Sequence, residues 1–425
     1  LSSVDAVLSW HTLWRWRPIL ALLAIERPVL NVRRGTDGQL EIAGIRGSEG
    51  GGSAGLDWLL AQKHIRITDA TLLWEDALRG APALVLEDVQ MRLDNSGRRH
   101  RFALSALPPA ALAGRLDVRG DLYGNVQEGW SLQGSEVDGR IYLDLPYADL
   151  DAWRPWFDYP VPLTRGQGAL RLWAELRDGD IGVTMDLALD SVRVQLGHTR
   201  PVLDLATLRG RLLATWRAQG WQLAAKRLEL RTHSGMQLAP MDFLLDWQAK
   251  DGAQEGQFTA DRLSLDKLAH LSDYLPLDPQ TRNLLQAYAP QGEISQIRSH
   301  WRWENDGLSR YGVKAEFSGL GVRAESYFPG AENLRGTIDL TERGGAVHID
   351  ARAASLFLPA VFPEAQIRFD RLRADTQWSV KAGVIDVQIE RVQFASPDAT
   401  GSAQGTYRFD GSGPGEIDLS ARIDK

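Results

Sequence analysis

The chain has 425 residues, with 44% hydrophobic and 24% charged residues, a composition typical of a folded protein rather than a disordered or membrane-embedded one. Its formal net charge of -7 argues against a nucleic-acid surface, which would be basic. Cysteine is absent, which excludes disulfides, thiolate catalysis and cysteine-zinc sites.

The first segment, 4–25 (VDAVLSWHTLWRWRPILALLAI), is predicted to be helical in two pieces, broken at Pro18. A hairpin over 28–45 follows, with Asp37-Gly38 as its turn signal. A glycine-rich linker and a short helix then lead to residue 62. No apolar run approaches the roughly 20 residues of a membrane span. Because the chain opens in a helical pattern and ends in a strand, we interpret it as part of a longer protein whose anchor or targeting segment is missing.

From residue 63 onward, apolar and polar residues alternate with a period of two, which predicts β-strands. Asp-Gly and Gly-Gly pairs between the strands predict tight turns and therefore an antiparallel meander. The alternation slips where Leu189 and Val192 are three apart, and again at Ala225 and Leu228. These slips predict bulges, which would increase the twist of the sheet.

Two segments, 146–157 and 265–289, interrupt the strands and are predicted to contain short helices. In the second insert, Leu284, Leu285 and Tyr288 give one apolar helix face, which is predicted to dock over an apolar groove of the sheet or its rim and not on the polar side. Gly166 and Gly292 each open a strand after an insert and are 126 residues apart, which predicts a long-period repeat. The predicted domains are an N-terminal helical segment with hairpin and linker (1–62) and three β-repeats: 63–165 with insert 146–157, 166–291 with insert 265–289, and 292–425.

No motif in the sequence predicts catalysis, a metal or a cofactor. The GGSAG stretch around Ser53 matches a nucleophile-elbow pattern but lies in a linker, without the strand-to-helix turn that the motif needs. The eight histidines are scattered singly. Asp144, Asp149 and Asp151 lack the glycine and closing glutamate of a calcium loop, so Asp149 is predicted to cap a helix instead. We expect a protein that is not an enzyme.

The apolar strand faces need a cover, which can be a second sheet, a closed barrel or a ligand. We predict a mainly β fold: an elongated, twisted antiparallel β-sheet curled into an apolar groove, a taco-like rod of repeats with a few short helical inserts. Such a groove would suit lipid acyl chains. A scaffolding rod of closed β-sandwiches remains open, and an outer-membrane barrel ranks lower. The residues predicted to line the groove are Leu170, Leu172, Leu176, Val183, Met185, Leu187, Leu189, Val347, Ile349, Ile385, Val387, Ile389, Ile417 and Leu419.

Three segments resemble the YhdP branch of the AsmA-like family: IERPVLNVRRGTDGQLEI (25–42), YLPLDPQTRNLLQAYAPQGEI (274–294) and the ADTQWSV…IDVQIERVQF hairpins (374–394). The resemblance covers essentially the whole chain, although the first insert lacks the NLLQAY helix of the second.

This resemblance implies a repeating β-groove like that of the eukaryotic bridge-like lipid-transfer proteins. It also implies a periplasmic protein, anchored to the inner membrane of Gram-negative bacteria, that moves phospholipid to the outer membrane and supports its permeability barrier. The implied partners are phospholipids, the inner membrane through the missing anchor, and outer-membrane or periplasmic proteins.

Overall fold

A computed structural model describes residues 3–8, 20–42, 45–46, 62–124, 137–275, 277–304, 307–325, 329–359, 366–411 and 415–424. The chain is mainly β, with two short helices in these ranges, which confirms the predicted fold class. Neither of these helices is long and apolar enough to cross a membrane.

The chain forms two compact units. Unit 1 consists of Leu1–Gln195, Val202–Ala218 and Leu230–Gly235, and unit 2 of Leu196–Pro201, Gln219–Glu229 and Met236–Lys425. The domain boundaries predicted at 63, 166 and 292 remain predictions.

Unit 1 contains thirteen strands among its described residues. They are β1 (Ser3–Leu8), β2 (Leu20–Glu26), β3 (Val29–Arg34), β4 (Leu40–Ile42), β5 (Ile45–Arg46), β6 (His64–Asp76), β7 (Ala81–Ser96), β8 (Arg99–Leu107), β9 (Leu116–Tyr123), β10 (Asp138–Asp149), β11 (Leu163–Arg177), β12 (Asp180–Val194) and β13 (Leu203–Arg217). Strands β6 to β13 pair antiparallel, each with the next.

Strand β6 makes unit 1 a mixed sheet rather than the purely antiparallel one predicted. Its first half pairs in parallel with β2, where Leu23 faces Ile65, and its second half with β3, where Val32 faces Trp74. Between the two halves, Asp69 has a φ of 54°, a left-handed conformation that interrupts the strand. Two short strands can therefore follow one another along a single longer partner.

The N-terminal helix prediction is wrong in the described parts of that segment. Residues 3–8 and 20–26 are strands β1 and β2, which pair antiparallel with each other. Strand β2 lies between β1 and β6, and six of its seven residues are partly buried. Because both of its faces carry apolar residues, it lacks the alternation that would identify a strand. Pro18 and the helix predicted over 56–62 lie largely outside the described residues.

The helix predicted over 146–157 is also wrong. Strand β10 continues to Asp149, and hydrogen-bonded turns follow over 150–156. Asp149 does cap this segment, because its Oδ1 accepts hydrogen bonds from the backbone N–H groups of Asp151 and Ala152, both at 3.1 Å. Trp153 is buried and its indole Nε1 donates to the Leu112 carbonyl at 3.1 Å. This contact between Trp153 and Leu112 stabilises the turns over 150–156.

The described residues of unit 2 include ten complete strands and two helices. These are β15 (Gln237–Lys250), β16 (Ala253–Ser264), α1 (Leu265–Leu271), α2 (Pro279–Tyr288), β17 (Gln291–Glu304), β18 (Gly307–Val322), β19 (Gly330–Thr341), β20 (Gly344–Phe357), β21 (Gln366–Lys381), β22 (Val384–Ala395), β23 (Thr400–Phe409) and β24 (Glu416–Asp424). Strand β14 (Gly220–Thr232) falls at the division of the chain. Strands β15 to β24 pair antiparallel in chain order.

Both helices of the second insert are confirmed. Asp278 caps α2 by accepting a hydrogen bond from the Thr281 backbone N–H at 2.9 Å, and Pro279 occupies the first turn. The docking of its apolar face over the groove or its rim stays a prediction, and Leu284 is 55% exposed. Leu285 and Tyr288 are partly buried.

The predicted bulges coincide with left-handed residues inside strands. Ser191 has a φ of 52° between Leu189 and Val192, and both of these neighbours are buried. Arg227 has a φ of 51° between Ala225 and Leu228. Ala353, 126 residues after Arg227, has the same φ of 51°, so the repeat spacing extends to this backbone irregularity.

Asp76 links β3 to β6 through a buried ion pair with Arg34. The Arg34 Nε donates to Asp76 Oδ1 at 2.9 Å, its Nη2 donates to Oδ2, and the Arg79 backbone N–H donates to Oδ1 at 3.1 Å. Burial raises the pKa of the Asp76 carboxyl, but these hydrogen bonds outweigh burial and hold the pKa below its usual value.

A lowered carboxyl pKa predicts a specific loss of stability in acid. The stabilisation is complete above the unfolded-state pKa of about 3.9 and is lost as the pH falls through the lower folded-state pKa. We therefore expect the free energy of unfolding of the Asp76→Asn variant to fall less than that of the parent below about pH 4. Urea unfolding at a series of pH values measures both curves, and parallel curves would contradict the expectation.

Candidate functional site

One face of the sheet in unit 1 is apolar across eight consecutive strands, β6 to β13. Residues that face each other directly in the strand registers form rows across the sheet. The first row consists of Ile67, Met91, Leu104, Val118, Leu143, Leu172, Met185 and Leu212. The adjacent row consists of Ile65, Leu93, Phe102, Gly120, Ile141, Ala174, Val183 and Ala214. Neither row contains a charged residue, although 24% of the chain is charged.

Most of these residues remain accessible to solvent. Ile65, Ile67 and Leu93 are buried, whereas the other members of the two rows are partly buried. An apolar surface that is neither covered nor charged is uncommon on a soluble protein and usually marks a binding surface. We call the face of the sheet that carries these two rows the apolar face of unit 1.

Unit 2 carries a corresponding apolar face across β15 to β24. One row runs through Leu245, Phe258, Ser299, Val313, Leu340, Gly345, Trp378, Val387, Tyr407 and Ile417. Its only polar side-chain groups are the hydroxyls of Ser299 and Tyr407 and the indole N–H of Trp378, and no member is charged. We call the face that contains this row the apolar face of unit 2.

The apolar face of unit 2 has a packed half and an open half. In the packed half, Phe317, Leu334, Ala351, Phe369 and Leu372 belong to one buried cluster whose members all come from β18 to β21. Leu372 is only 4% exposed, and the described residues of this cluster all come from one sheet. The open half contains the row through Leu340 and Val387, which are partly buried.

The opposite face carries ion pairs between directly facing strands. In unit 1, Arg211 Nη2 donates to Asp186 Oδ2 at 2.8 Å, and this hydrogen bond holds the pKa of Asp186 below its usual value. In unit 2, Lys314 Nζ lies 2.7 Å from Asp339 Oδ2. These side chains are exposed or partly exposed, so each pair contributes little to stability. They identify this face as the solvated one.

A shallow depression of about 600 Å³ lies on the polar face of unit 1, over β9 to β13. Tyr142 and Trp173 line it, with ring centroids 5.5 Å apart, and the Arg211 guanidinium lies 5.6 Å from the Trp173 ring centroid. The surrounding charges are already paired, for example Arg140 with Glu175 at 3.1 Å. The depression therefore offers no free charge to orient a ligand.

The structure places all fourteen predicted lining residues on the apolar face of their own unit. Ten of them are partly buried and could contact a ligand. Leu176 and Leu189, at 8% and 3% exposed, are part of the packed interior instead. Ile417 and Leu419, at 68% and 47%, lie on β24, which pairs with β23 alone in the described part of the chain. That these residues line a lipid groove remains a prediction.

The sequence prediction missed much of the apolar face. Leu143 and Leu212 occupy the same row as Leu172 and Met185, and Val118 lies on the same row in β9. The same alternation identifies them in LDV, IYLDL and RGRLL, so the signal was present in the sequence. What the sequence lacks is the register that aligns these short patterns into one row.

The described residues contain no group of three or more His, Cys, Asp or Glu side chains that could hold a metal ion. Ser53 lies outside the described residues.

No curated protein and no solved structure matches the chain. One family model matches, the YhdP protein family, over residues 1–425. Because this match spans the whole sequence, the chain belongs to the YhdP family.

Proposed function

We propose that this protein binds phospholipid on its apolar faces and transfers it between the inner and outer membranes, without covalent chemistry. The observation that carries the proposal is the apolar face of unit 1: sixteen facing positions on eight strands, none of them charged and most of them accessible. Membership of the YhdP family supports the same function.

Burial of an acyl chain on this apolar surface is favourable in free energy. Each methylene removed from water contributes about 0.8 kcal/mol, so one fatty-acyl chain gains on the order of 10 kcal/mol. A row of side chains without charges gives every position along the face a similar affinity, which favours sliding over tight binding at one site. The headgroup would stay in water, because the apolar face has almost no polar partner for it.

The scaffolding alternative is less well supported. A closed β-sandwich buries its inner face against a second sheet, so its inner residues would be as inaccessible as Leu372. The structure instead leaves Leu172, Met185 and Leu187 partly exposed. Within the proposal, the protein works in the periplasm, anchored to the inner membrane, and contacts outer-membrane or periplasmic proteins.

Co-purified lipid tests the proposal most directly. We expect native mass spectrometry of the purified chain to detect bound phospholipid. A photo-crosslinking residue at position 187, on the apolar face, should capture phospholipid, whereas one at position 186, on the polar face, should not. Equal capture at both positions, or no lipid at either, would count against the proposal.

A further inference from the structure

Several aromatic rings lie flat across a glycine of the neighbouring strand. Trp301 in β17 faces Gly256 in β16, and Phe102 in β8 faces Gly120 in β9. In both pairs a Cβ added to the glycine would overlap the ring of the facing residue, and its three nearest atoms all belong to that ring. The ring therefore occupies space that any other residue would fill.

Gly256 is flanked by tryptophan on both sides. Trp247 in β15 faces it from the other strand, and the ring centroids of Trp247 and Trp301 are 6.1 Å apart. Both tryptophans are partly buried on the apolar face of unit 2. The bulky Trp301 ring would stand up from the sheet and obstruct the face if Gly256 carried a side chain.

We propose that Gly256 and Gly120 are specificity-determining residues, because each allows an aromatic ring to lie down on the sheet and so leaves depth for a two-chain lipid. This inference rests on the proposed function. It adds that these two glycines decide whether the face accepts a lipid with two acyl chains. Neither glycine has a positive φ, so alanine is compatible with the backbone at both positions.

The same strands offer a matched control on the other face. Gly312 in β18 faces His300 in β17, and a Cβ on Gly312 would likewise overlap only the His300 ring. His300 precedes Trp301 in the chain, so it points to the polar face. Gly312→Ala therefore displaces a ring of similar kind from the same strand without reaching the apolar face.

Lipid transfer by the full chain tests the inference. Donor vesicles of phosphatidylethanolamine and phosphatidylglycerol would carry a fluorescent diacyl phosphatidylethanolamine or its one-chain lyso form. We expect Gly256→Ala to lower diacyl transfer by about tenfold and lyso transfer much less, since small steric changes in an apolar site discriminate by this order. The double variant Gly256→Ala with Trp301→Ala should restore diacyl transfer, and Gly312→Ala should match the parent.

The outcomes separate the inference from the proposed function. If the parent transfers neither lipid, the proposed function fails. If the parent transfers both and Gly256→Ala behaves like the parent or like Gly312→Ala, the inference is overturned. Loss of both lipids to the same extent, without rescue by Trp301→Ala, would indicate damage to the fold and would also overturn it.

Discussion

Replacing Leu187 with aspartate should reduce phospholipid transfer by at least about tenfold while the protein still folds. Leu187 faces Leu170 on β11 and Gly210 on β13, in the row of the apolar face of unit 1 that lies next to the row of Met185. A passing acyl chain would have to strip water from the ionised carboxylate, which is costly in free energy. Because position 187 is partly exposed, the carboxylate keeps part of its hydration when no lipid is bound.

Ala188→Asp is the matched control for this variant. Ala188 is the next residue of β12, is exposed, and faces Ala169 and Arg209 on the polar face. The same charged group there should leave transfer unchanged, with Arg209 as a favourable neighbour. Circular dichroism and urea unfolding check that both variants fold. An unfolded Leu187→Asp protein, together with no lipid captured at position 187 in the parent, would support closed packing instead.

The fold class could be predicted because strand alternation is a local property of the sequence. In β22, Ile385, Val387 and Ile389 fall on one face and alternate with polar residues, and the structure keeps that arrangement. The bulges near Ser191 and Arg227 could be predicted for the same reason, since a slip in the alternation is visible within one strand. Local pattern was sufficient wherever one face of the strand meets water.

Prediction failed where tertiary contacts decide the structure. Strand β2 is covered by β1 and β6, so its apolar run lacks alternation and resembles a helix. The parallel pairing of β2 and β3 with β6 joins segments about forty residues apart, which no local pattern encodes. In the first insert, Trp153, Trp156 and Phe157 have helical spacing, but Trp153 is fixed by the Leu112 carbonyl.

The sequence also could not predict which apolar residues are accessible to solvent and which are buried. Leu187 and Leu189 follow one alternation, yet Leu187 is partly exposed and Leu189 is buried. Ser191, two residues further on, has a left-handed conformation, and beyond it Val192 is buried as well. Where the packed interior begins depends on the arrangement of neighbouring strands. The sequence therefore predicts which residues share the apolar face, but not which of them remain accessible to a ligand.

The two halves of the apolar face of unit 2 predict opposite behaviour for the same substitution. Leu372→Ala should lower the free energy of unfolding by about 2 to 5 kcal/mol, because it removes a buried side chain that faces Ala351 and Phe394 and leaves a cavity. Leu340→Ala should cost less than about 2 kcal/mol, since Leu340 is already partly exposed and faces Gly345, which has no side chain to pack against it. Chemical unfolding of both variants measures the difference.

Lipid should contact position 340, where substitution costs less stability, and not position 372, where it costs more. A photo-crosslinking residue at position 340 should capture phospholipid, and one at position 372 should not, because the cluster around Leu372 leaves no room for an acyl chain. If both substitutions cost the same stability, the division into packed and open halves is wrong. If position 372 captures lipid while 340 does not, the ligand enters the buried cluster instead. The expected result would mean that the packed half stabilises the fold and that the open half is the part of the face that binds lipid.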